Sequence, residues 1–366
     1  MQDTASVLTD QFSELLERLP ADLDLDGLAV ESKAIRRRRE VVDGAGLLRI
    51  ALARGPGGLS LRQTAAWASM LGIAELSNPG VKYRLDQATN FLVAVVERLL
   101  AAKAPGAELR WPGRILRLAD GTCVSQPGST GTDWRIHGVF DLGRGGFSHL
   151  ELTDKHGAEA LERGAPLPGE IRVGDRNYAR APVLRRFRAQ SSGRADFIVR
   201  LGWNALQLTN PAGRPFDLIG YLQCLPPDPS PHEVHLLAAV GRGEPALAFR
   251  LIVQRKTPEA TEATRSALRQ AAARKGTMRD PRSLVAAAFM ILATSLPRSG
   301  YSARAVLAVY RLRWQIELAF KRLKSLLHID RLPTHTDRGL QSWLYAHLIS
   351  ALLCDDLSQD FLDSSP

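Results

Sequence analysis

Apolar residues recur at helical spacing along the first 110 residues of the chain. The segments "QFSELLERL", "GLLRIALA", "RQTAAWASML" and "ATNFLVAVVERLLAA" each place hydrophobic side chains three or four positions apart, which gives a helix one buried face. Ser60 is a suitable N-cap for the third segment, and Gly72 is a suitable end for it. Ser77 followed by Pro79 can start the next helix. The pattern predicts an all-α N-terminal domain over residues 1–110.

From Trp111 onward, short strand-like runs replace the helical spacing. They are "RILRLADGT", "WRIHGVFDL", "FSHLELTD" and "EIRVGDRNYA", divided by turn-rich pieces such as "SQPGSTGTD". A short helix, "GAEALERG", is predicted between the third and the fourth run. Three neighbouring strands, a helix and a further strand predict the first part of an RNase H-like α/β fold over residues 111–190.

Residues 191–285 carry a second group of strand-like runs and are interpreted as a β-rich insertion. The runs are "DFIVRLGWNALQL", "FDLIGYLQCL", "EVHLLAAV" and "ALAFRLIVQRK", followed by a basic helix, "ATRSALRQAAARKG". The core resumes over residues 286–366 with one long helix at 303–327 and a final helical segment, "GLQSWLYAHLISALL". The predicted fold is therefore an RNase H-like mixed sheet with flanking helices, interrupted by the insertion and preceded by the all-α domain.

Basic charge is concentrated in the last third of the chain. The 366 residues have a net charge of +10 and a pI near 9.9. Residues 251–340 hold 17 Lys and Arg against 6 Asp and Glu. This excess favours a polyanionic partner such as nucleic acid, with a solvated basic surface as the alternative. Residues 60–90 would then form a DNA-binding helix-turn-helix, or else a plain helical hairpin. The arginine run 36–39 would grip phosphates or lie on a solvated helix face.

Cysteine usage and hydropathy exclude several other classes of protein. Cys123, Cys224 and Cys354 are odd in number and widely spaced, so we expect neither a disulfide framework nor a zinc site, and a reducing cytoplasm fits best. The longest apolar run, "LVAAAFMILA" from Leu284, is far too short to cross a membrane. We therefore expect a cytoplasmic protein that does not span a membrane.

Four polar residues share one stripe of the predicted long helix. Tyr310, Arg313, Glu317 and Lys324 stand at positions i, i+3, i+7 and i+14, and about 100° of rotation per residue brings all four to one side. The stripe runs along one edge of the apolar face, where side chains are half buried and held firmly. Ordinary i, i+4 ion pairing accounts for Glu317 but not for Tyr310 and Lys324.

Two aspartates close apolar strands upstream of this helix. Asp120 ends "RILRLAD" and Asp175 ends "EIRVGD", so each is exposed yet rigidly placed. Taken alone, such an acid is more often an N-cap or a turn residue. A lone Glu317 would hold a divalent cation poorly, because Mg²⁺ prefers several oxygen ligands. Three other acids lie in turns between strands and are weaker candidates: Asp133, Asp141 and Asp154.

The three acids lie in motifs that resemble a known family. The spacing Y-x2-R-x3-E-x6-K, from Tyr310 to Lys324, is similar to the signature of the Y-R-E-K branch of bacterial insertion-sequence DDE transposases. "LADGT" resembles the motif of the family's first aspartate. "VGDRNYA" resembles the second motif, with Asn177 where glycine is commoner, and "FIVRLGWNALQL" is also similar. The resemblance covers about residues 110–350, with all three motifs in order.

The resemblance implies a catalytic role for these residues. Asp120, Asp175 and Glu317 would hold two Mg²⁺ or Mn²⁺ ions, so we expect their carboxylates to converge to within roughly 4–8 Å. Arg313 and Lys324 would hold DNA phosphates, and Tyr310 would bond a phosphate or stack on a sugar or base. The partner would be double-stranded DNA, both the terminal inverted repeats of a mobile element and the target.

Further expectations follow from the same resemblance. The insertion would contact DNA, a homodimer would form on DNA, and the protein would work in the bacterial cytoplasm at the nucleoid. Two alternatives remain open for the function. One is a catalytically inactive or repurposed DNA-binding protein of the same fold. The other is a metal-dependent DNA nuclease without strand transfer.

Overall fold

The computed structural model of the protein describes residues 19–37, 40–102, 111, 113–125, 131, 133–274, 276–278, 280–327 and 337–363. Within these ranges, side chains are described except at residues 322, 323, 325–327, 337, 338 and 354–363. Most of the predicted first helix, "QFSELLERL", lies outside the described residues, as do Arg38, Arg39 and the Cys354 side chain. No helix in the described ranges is long and apolar enough to cross a membrane.

The described N-terminal part is helical, as its apolar spacing predicts. The helices are α1 (Leu25–Glu31), α2 (Gly44–Arg54), α3 (Leu61–Met70) and α4 (Asn78–Ala101). The Ser60 side chain accepts a hydrogen bond of 3.2 Å from the Gln63 N–H, and the Gln63 side chain accepts one from the Ser60 N–H, forming a capping box. Ser77 caps α4. Gly72 lies at φ +63°, a conformation that suits glycine after a helix.

All nine strands of the described residues belong to one sheet, in the order β3-β2-β1-β4-β5-β9-β8-β7-β6. Antiparallel hydrogen bonds join β1, β2 and β3, whereas β4 runs parallel to β1 and β5 parallel to β4. The strands are β1 (Ile115–Val124), β2 (Trp134–Asp141), β3 (Gly146–Asp154), β4 (Glu170–Gly174), β5 (Asp196–Arg200), β6 (Leu208–Thr209), β7 (His232–Ala238), β8 (Leu247–Arg255) and β9 (Phe289–Thr294). The protein is thus a mixed α/β structure, as predicted.

The remaining helices follow or separate these strands. A single 3-10 turn, Arg176–Tyr178, comes directly after β4 and Asp175. The helices are α5 (Ala181–Gln190), α6 (Leu218–Cys224), α7 (Pro258–Arg274), α8 (Pro281–Ala286), α9 (Ala303–Arg311), α10 (Trp314–Leu327) and α11 (Asp337–Asp363). The predicted basic helix corresponds to α7, and the final helical segment lies within α11.

The strands of residues 191–285 join the core sheet. Strand β5 lies inside that segment and pairs with β4 in parallel. Strand β8 pairs with β9 from Arg250–Thr294 to Arg255–Phe289, and β9 pairs in turn with β5. Backbone hydrogen bonding along β9 is what joins the two parts. The domain limits at 110, 190 and 285 stay predictions.

The prediction of a strand at "FDLIGYLQCL" is wrong, because Leu218–Cys224 form helix α6, whose Leu218 and Leu222 are buried against the sheet.

The prediction of a helix at "GAEALERG" is wrong. Residues 157–164 form turns and irregular backbone. Arg172, fully buried on β4, donates hydrogen bonds from Nη1 to the carbonyl oxygens of Leu161, Arg163 and Gly164, at 2.7, 2.7 and 2.8 Å. These carbonyls point at a buried cation and are not available as helix acceptors.

The single predicted helix over 303–327 is also wrong, because it divides into α9 and α10. Between the two helices, the backbone hydrogen bonds change from the i to i−4 to the i to i−3 pattern. Leu312 N bonds to Val309 O at 3.0 Å, and Arg313 N bonds to Tyr310 O at 3.1 Å. A continuous helix would place Arg313 and Glu317 on the same buried stripe as Tyr310. The break turns α10 so that apolar side chains are buried there and Glu317 remains exposed.

Two hydrophobic clusters cover the two faces of the sheet. The cluster on one face joins α1–α4 to β1–β3, α9, α10 and α11. The other face packs against α5 and α6. Helix α11 lies along α4, where Ser342 Oγ donates to the Leu85 carbonyl at 2.5 Å and lies 2.8 Å from Thr89 Oγ1. The N-terminal helices therefore share one core with the C-terminal helix.

Candidate active site

The candidate site begins where β4 ends beside its parallel neighbour β1, which continues to Val124. Leu118 on β1 is the register partner of Val173 on β4, and Asp120 and Asp175 each follow by two residues. Because side chains alternate between faces along an extended chain, both aspartates point to the face that carries α10. Asp175 directly follows the end of β4, as predicted. The prediction that Asp120 closes its strand is wrong, because pairing with β2 continues β1 through Asp120 to Val124.

Each aspartate has one carboxylate oxygen fixed by a local backbone N–H. Asp120 Oδ1 accepts from the Gly121 N–H at 2.9 Å. Asp175 Oδ1 accepts from the Asn177 N–H at 2.7 Å and caps the 3-10 turn. The N-cap role considered for such acids is therefore real for Asp175. This hydrogen bond uses only one carboxylate oxygen of Asp175. Fixing that oxygen orients the second one, which stays available to another partner.

Arg313 connects the first aspartate to the glutamate. Its Nη1 lies 3.6 Å from Asp120 Oδ2, and its Nη2 donates a hydrogen bond to Glu317 Oε1. The same guanidinium therefore lies between two of the three predicted catalytic acids. Burial lowers the pKa of Arg313, but the hydrogen bond and the negative charges around it outweigh that effect and raise it overall. The arginine remains charged in this position.

Asp120 occupies an unfavourable environment for an ionised carboxylate. Burial raises its pKa from 3.8 to about 6, despite the opposing effects of the Gly121 N–H and Arg313. The negative charges of Asp175 and Glu159 raise the pKa further. Several carboxylates therefore repel one another in a partly desolvated cleft, an arrangement that a cation relieves.

Tyr310 and Lys324 are placed differently from each other. Tyr310 is 6% exposed, and burial raises the pKa of its phenol. Its neighbours include Arg313 and Asp175. Lys324 Nζ donates to the Cys123 carbonyl at 2.9 Å, which ties α10 to the end of β1. Tyr310 thus underlies the arginine and has little surface for stacking on a base, whereas Lys324 is half-buried at the rim.

The donor chemistry fits a divalent cation, although these side chains are not arranged as a metal cluster. Among the residues described, no three His, Cys, Asp or Glu side chains lie close enough together to hold a metal ion. Arg313 instead occupies the space between Asp120 and Glu317. Carboxylate oxygens are the ligands that Mg²⁺ prefers. Burial is the main cause of the raised pKa of Asp120 and the charges of Asp175 and Glu159 add to it, so a nearby cation would favour the ionised carboxylate.

Sequence reasoning missed a fourth carboxylate near this site. Glu159 Oε1 would lie 3.3 Å from a Cβ placed on Gly121, next to Asp120 in the chain. Its charge contributes to the raised pKa values of Asp120 and Tyr178, after burial in both cases. Glu159 was not recognised as a site residue because its segment was predicted to be helical. The carbonyl contacts of Arg172, together with a hydrogen bond from Arg180 Nη2 to the Glu159 carbonyl, hold the loop that brings Glu159 here.

Two of the three weaker acidic candidates, Asp141 and Asp154, have structural roles. Asp141 is buried, with its Oδ2 3.4 Å from Arg117 Nε, and it accepts from the N–H groups of the turn at Gly143 and Arg144. Asp154 accepts from the N–H of His156 at 2.9 Å. Both contacts are typical of turn-stabilising aspartates.

Comparison with known proteins finds the same similarity over almost the whole chain. The family model described as "Transposase DDE domain" matches residues 111–353. The putative transposase InsL for insertion sequence element IS186A of Escherichia coli (strain K12) is 38% identical over 359 residues, covering 98% of this chain and 96% of the relative. The transposase for insertion sequence element IS421 of Escherichia coli is 38% identical over 360 residues, with the same coverage.

A solved structure also aligns with this one, at lower similarity. It is the cryo-EM structure of the piggyBac transposase synaptic complex with hairpin DNA, which covers 95% of this chain and 75% of that chain. The TM-score is 0.49 and the sequence identity is 8%. At this level the likeness carries no argument about the present site.

Proposed function

This chain belongs to the DDE transposase family, and on that premise we propose that Asp120, Asp175 and Glu317 catalyse the cutting and joining of DNA at the ends of an insertion sequence. Family membership makes the protein a metal-dependent enzyme that cleaves and transfers DNA. The assignment to particular residues rests chiefly on one observation, the Arg313 guanidinium in contact with both Asp120 and Glu317. This contact supports a cleft formed by β1 and α10.

In the proposed mechanism, the three carboxylates bind the metal and the cationic side chains bind the DNA. Two Mg²⁺ or Mn²⁺ ions held by Asp120, Asp175 and Glu317 would supply the positive charge that in-line attack on a phosphodiester requires. Arg313 exchanges its contacts with the two acids for a bidentate contact with a DNA phosphate. Lys324 at the rim contributes a second positive charge, and the buried Tyr310 holds Arg313 in place.

DNA end recognition is assigned to the N-terminal helices. Ser60 and Ser77 define two capped helices around a turn, which supports a helix-turn-helix-like unit in which α4 enters the major groove. Lys82 and Tyr83, in the first turns of α4, are exposed, Tyr83 by 60%. We further propose that the basic residues of 251–285 contact the flanking duplex, since this segment adjoins the core sheet through β8.

The larger assembly follows from the reaction. Joining two element ends to one target requires both ends in one complex, so a homodimer on DNA containing terminal inverted repeats is the expected active form. The β3-β2-β1-β4-β5 order, with three antiparallel strands followed by two parallel ones, supports an RNase H-like core. The absence of a membrane-spanning helix in the described ranges is consistent with work at the bacterial nucleoid in the cytoplasm.

The test is a cleavage and strand-joining assay on a DNA duplex that carries the inverted repeats flanking the coding region. The wild type with Mg²⁺ should cut at the repeat ends and join 3′ ends to a target plasmid. Asp120→Asn, Asp175→Asn and Glu317→Gln should each bind the duplex with wild-type affinity but abolish detectable cleavage, whereas Asp22→Asn, at an exposed loop residue, should be fully active.

Other outcomes select the alternatives. Cleavage without joining would identify a nuclease, and binding without cleavage by the wild type would identify a DNA-binding protein that is no longer catalytic. Cleavage by the three acid variants at the wild-type rate would show that these residues are not the catalytic acids.

A further inference from the structure

Gly138 lies directly across the sheet from the first catalytic aspartate. It is the register partner of Asp120, on the neighbouring antiparallel strand β2. A Cβ at this position would meet Phe320 Cζ at 2.7 Å and Phe147 Cε1 at 2.8 Å. Separations this short are not found for real Cβ atoms, so the two rings occupy the volume that any larger residue would need.

The Phe320 ring therefore sits in a socket formed by Gly138 and Phe147. Phe320 is 4% exposed and Phe147 is 3% exposed, and their ring centroids are 5.2 Å apart. Phe147 also packs edge-to-face on Phe140, with centroids 5.5 Å apart, so the wall of the socket is itself held in place. The socket is a rigid part of the sheet, while Phe320 comes from α10.

Phe320 follows Glu317 by three residues on the same helix. Residues three apart on a helix are neighbours. The distance of Glu317 from the sheet therefore depends on how closely the Phe320 ring packs against Gly138 and Phe147. Helix α9 ends at Arg311 and α10 begins at Trp314, joined by i to i−3 backbone bonds, so the buried side chains of α10, Ile316 and Phe320, hold it on the sheet. Docking of Phe320 beside Gly138 is thus a principal restraint on the distance from Glu317 to Asp120.

We propose that Gly138 is a positioning residue for catalysis: its missing side chain lets Phe320 dock opposite Asp120, which holds Glu317 at the proper distance from the strand acids. This inference rests on the proposed function of Asp120 and Glu317. It concerns where α10 sits, so it has a structural readout that does not depend on DNA cleavage.

The structure supplies that readout in two native residues. Cys123 is an exposed free thiol three residues after Asp120, and Lys324 Nζ donates to the Cys123 carbonyl oxygen. A short amine-to-thiol cross-linker should join Lys324 to Cys123, and the yield of the joined peptides, measured by mass spectrometry, reports whether α10 is seated on β1.

The principal variant is Gly138→Ala. It should lower the cross-link yield severalfold and reduce Mg²⁺-dependent cleavage on the order of 10²-fold, since displacing a catalytic group by about 1 Å has an effect of that size. The affinity for the DNA ends, whose recognition is assigned to the N-terminal helices, should fall much less than the cleavage rate. The double variant Gly138→Ala with Phe320→Leu, which trims the clashing ring, should recover most of the cross-link yield and part of the activity.

Two further variants complete the design. Gly146→Ala, on the adjacent strand β3, is the matched control, because a Cβ there would meet Arg144 Nη2 at an ordinary 3.5 Å. It should behave as the wild type. Phe320→Ala empties the socket without adding bulk, and it should also lower the cross-link yield, which keeps the test decisive if Gly138→Ala does not fold.

The inference would be overturned if Gly138→Ala showed the same cross-link yield and cleavage rate as the wild type. It would also be overturned if Phe320→Ala left the cross-link yield unchanged. Failure of the proposed function is a different result: the wild type itself would then not cleave DNA, while the cross-link yields would still report on the socket.

Discussion

Asp120 should destabilise the metal-free protein at neutral pH. Its pKa in the folded state is raised from 3.8 to about 6, mainly by burial. An acid whose folded pKa lies above its unfolded value binds protons more tightly in the folded state. The contribution of Asp120 to stability is therefore greatest below pH 4, falls as the pH rises from about 4 to about 6, and is level above that range. Replacing Asp120 by asparagine removes the charge that causes this loss.

The size of the effect follows from the shift. One pKa unit corresponds to about 1.4 kcal/mol, so a shift of about two units corresponds to roughly 3 kcal/mol at pH 7 to 8. Asparagine retains an oxygen that can accept the 2.9 Å hydrogen bond from the Gly121 N–H. We therefore expect Asp120→Asn to raise the free energy of unfolding by about 2–3 kcal/mol at pH 7.5, and by close to zero at pH 4.

The assay is urea unfolding in EDTA from pH 4 to pH 8, with Asp22→Asn as the exposed-site control. Millimolar Mg²⁺ should then stabilise the wild type more than Asp120→Asn, because a cation bound at the site offsets the same repulsion. An Asp120→Asn protein that is no more stable than the wild type at pH 7.5, or a difference that does not depend on pH, would refute this reasoning.

Three further predictions concern other parts of the molecule. Glu159→Gln should lower the pKa of Asp120, because one negative charge that raises it is removed, so the pH-dependent loss of stability should move to lower pH in the same unfolding series. Ser60→Ala should cost about 1 kcal/mol in urea unfolding by removing the capping box with Gln63, and Ser60→Asp should restore most of it. Phe91→Ala, at a fully buried ring of α4, should cost about 3–5 kcal/mol and lower the Tm; a loss below 1 kcal/mol would contradict the shared core.

The sequence determined the local features of this protein. Apolar spacing and the caps Ser60 and Ser77 identified α3 and α4, because those signals act within a few residues. The position of Asp175 at the end of β4 likewise follows from a short apolar run, whereas β1 continues past Asp120. Similarity to known transposases over the three motifs added the family and its activity, as the comparisons confirm.

Only the tertiary structure decided how distant segments meet. The break at 312–313, bridged by i to i−3 backbone bonds, divides a stretch whose apolar spacing by itself predicts one continuous helix. Glu159 reaches the site because the buried Arg172 draws the preceding loop carbonyls toward itself. The seat of Phe320 against Gly138 joins residues 182 positions apart in the chain. Packing and buried charge act between segments far apart in sequence, so no local pattern contains them.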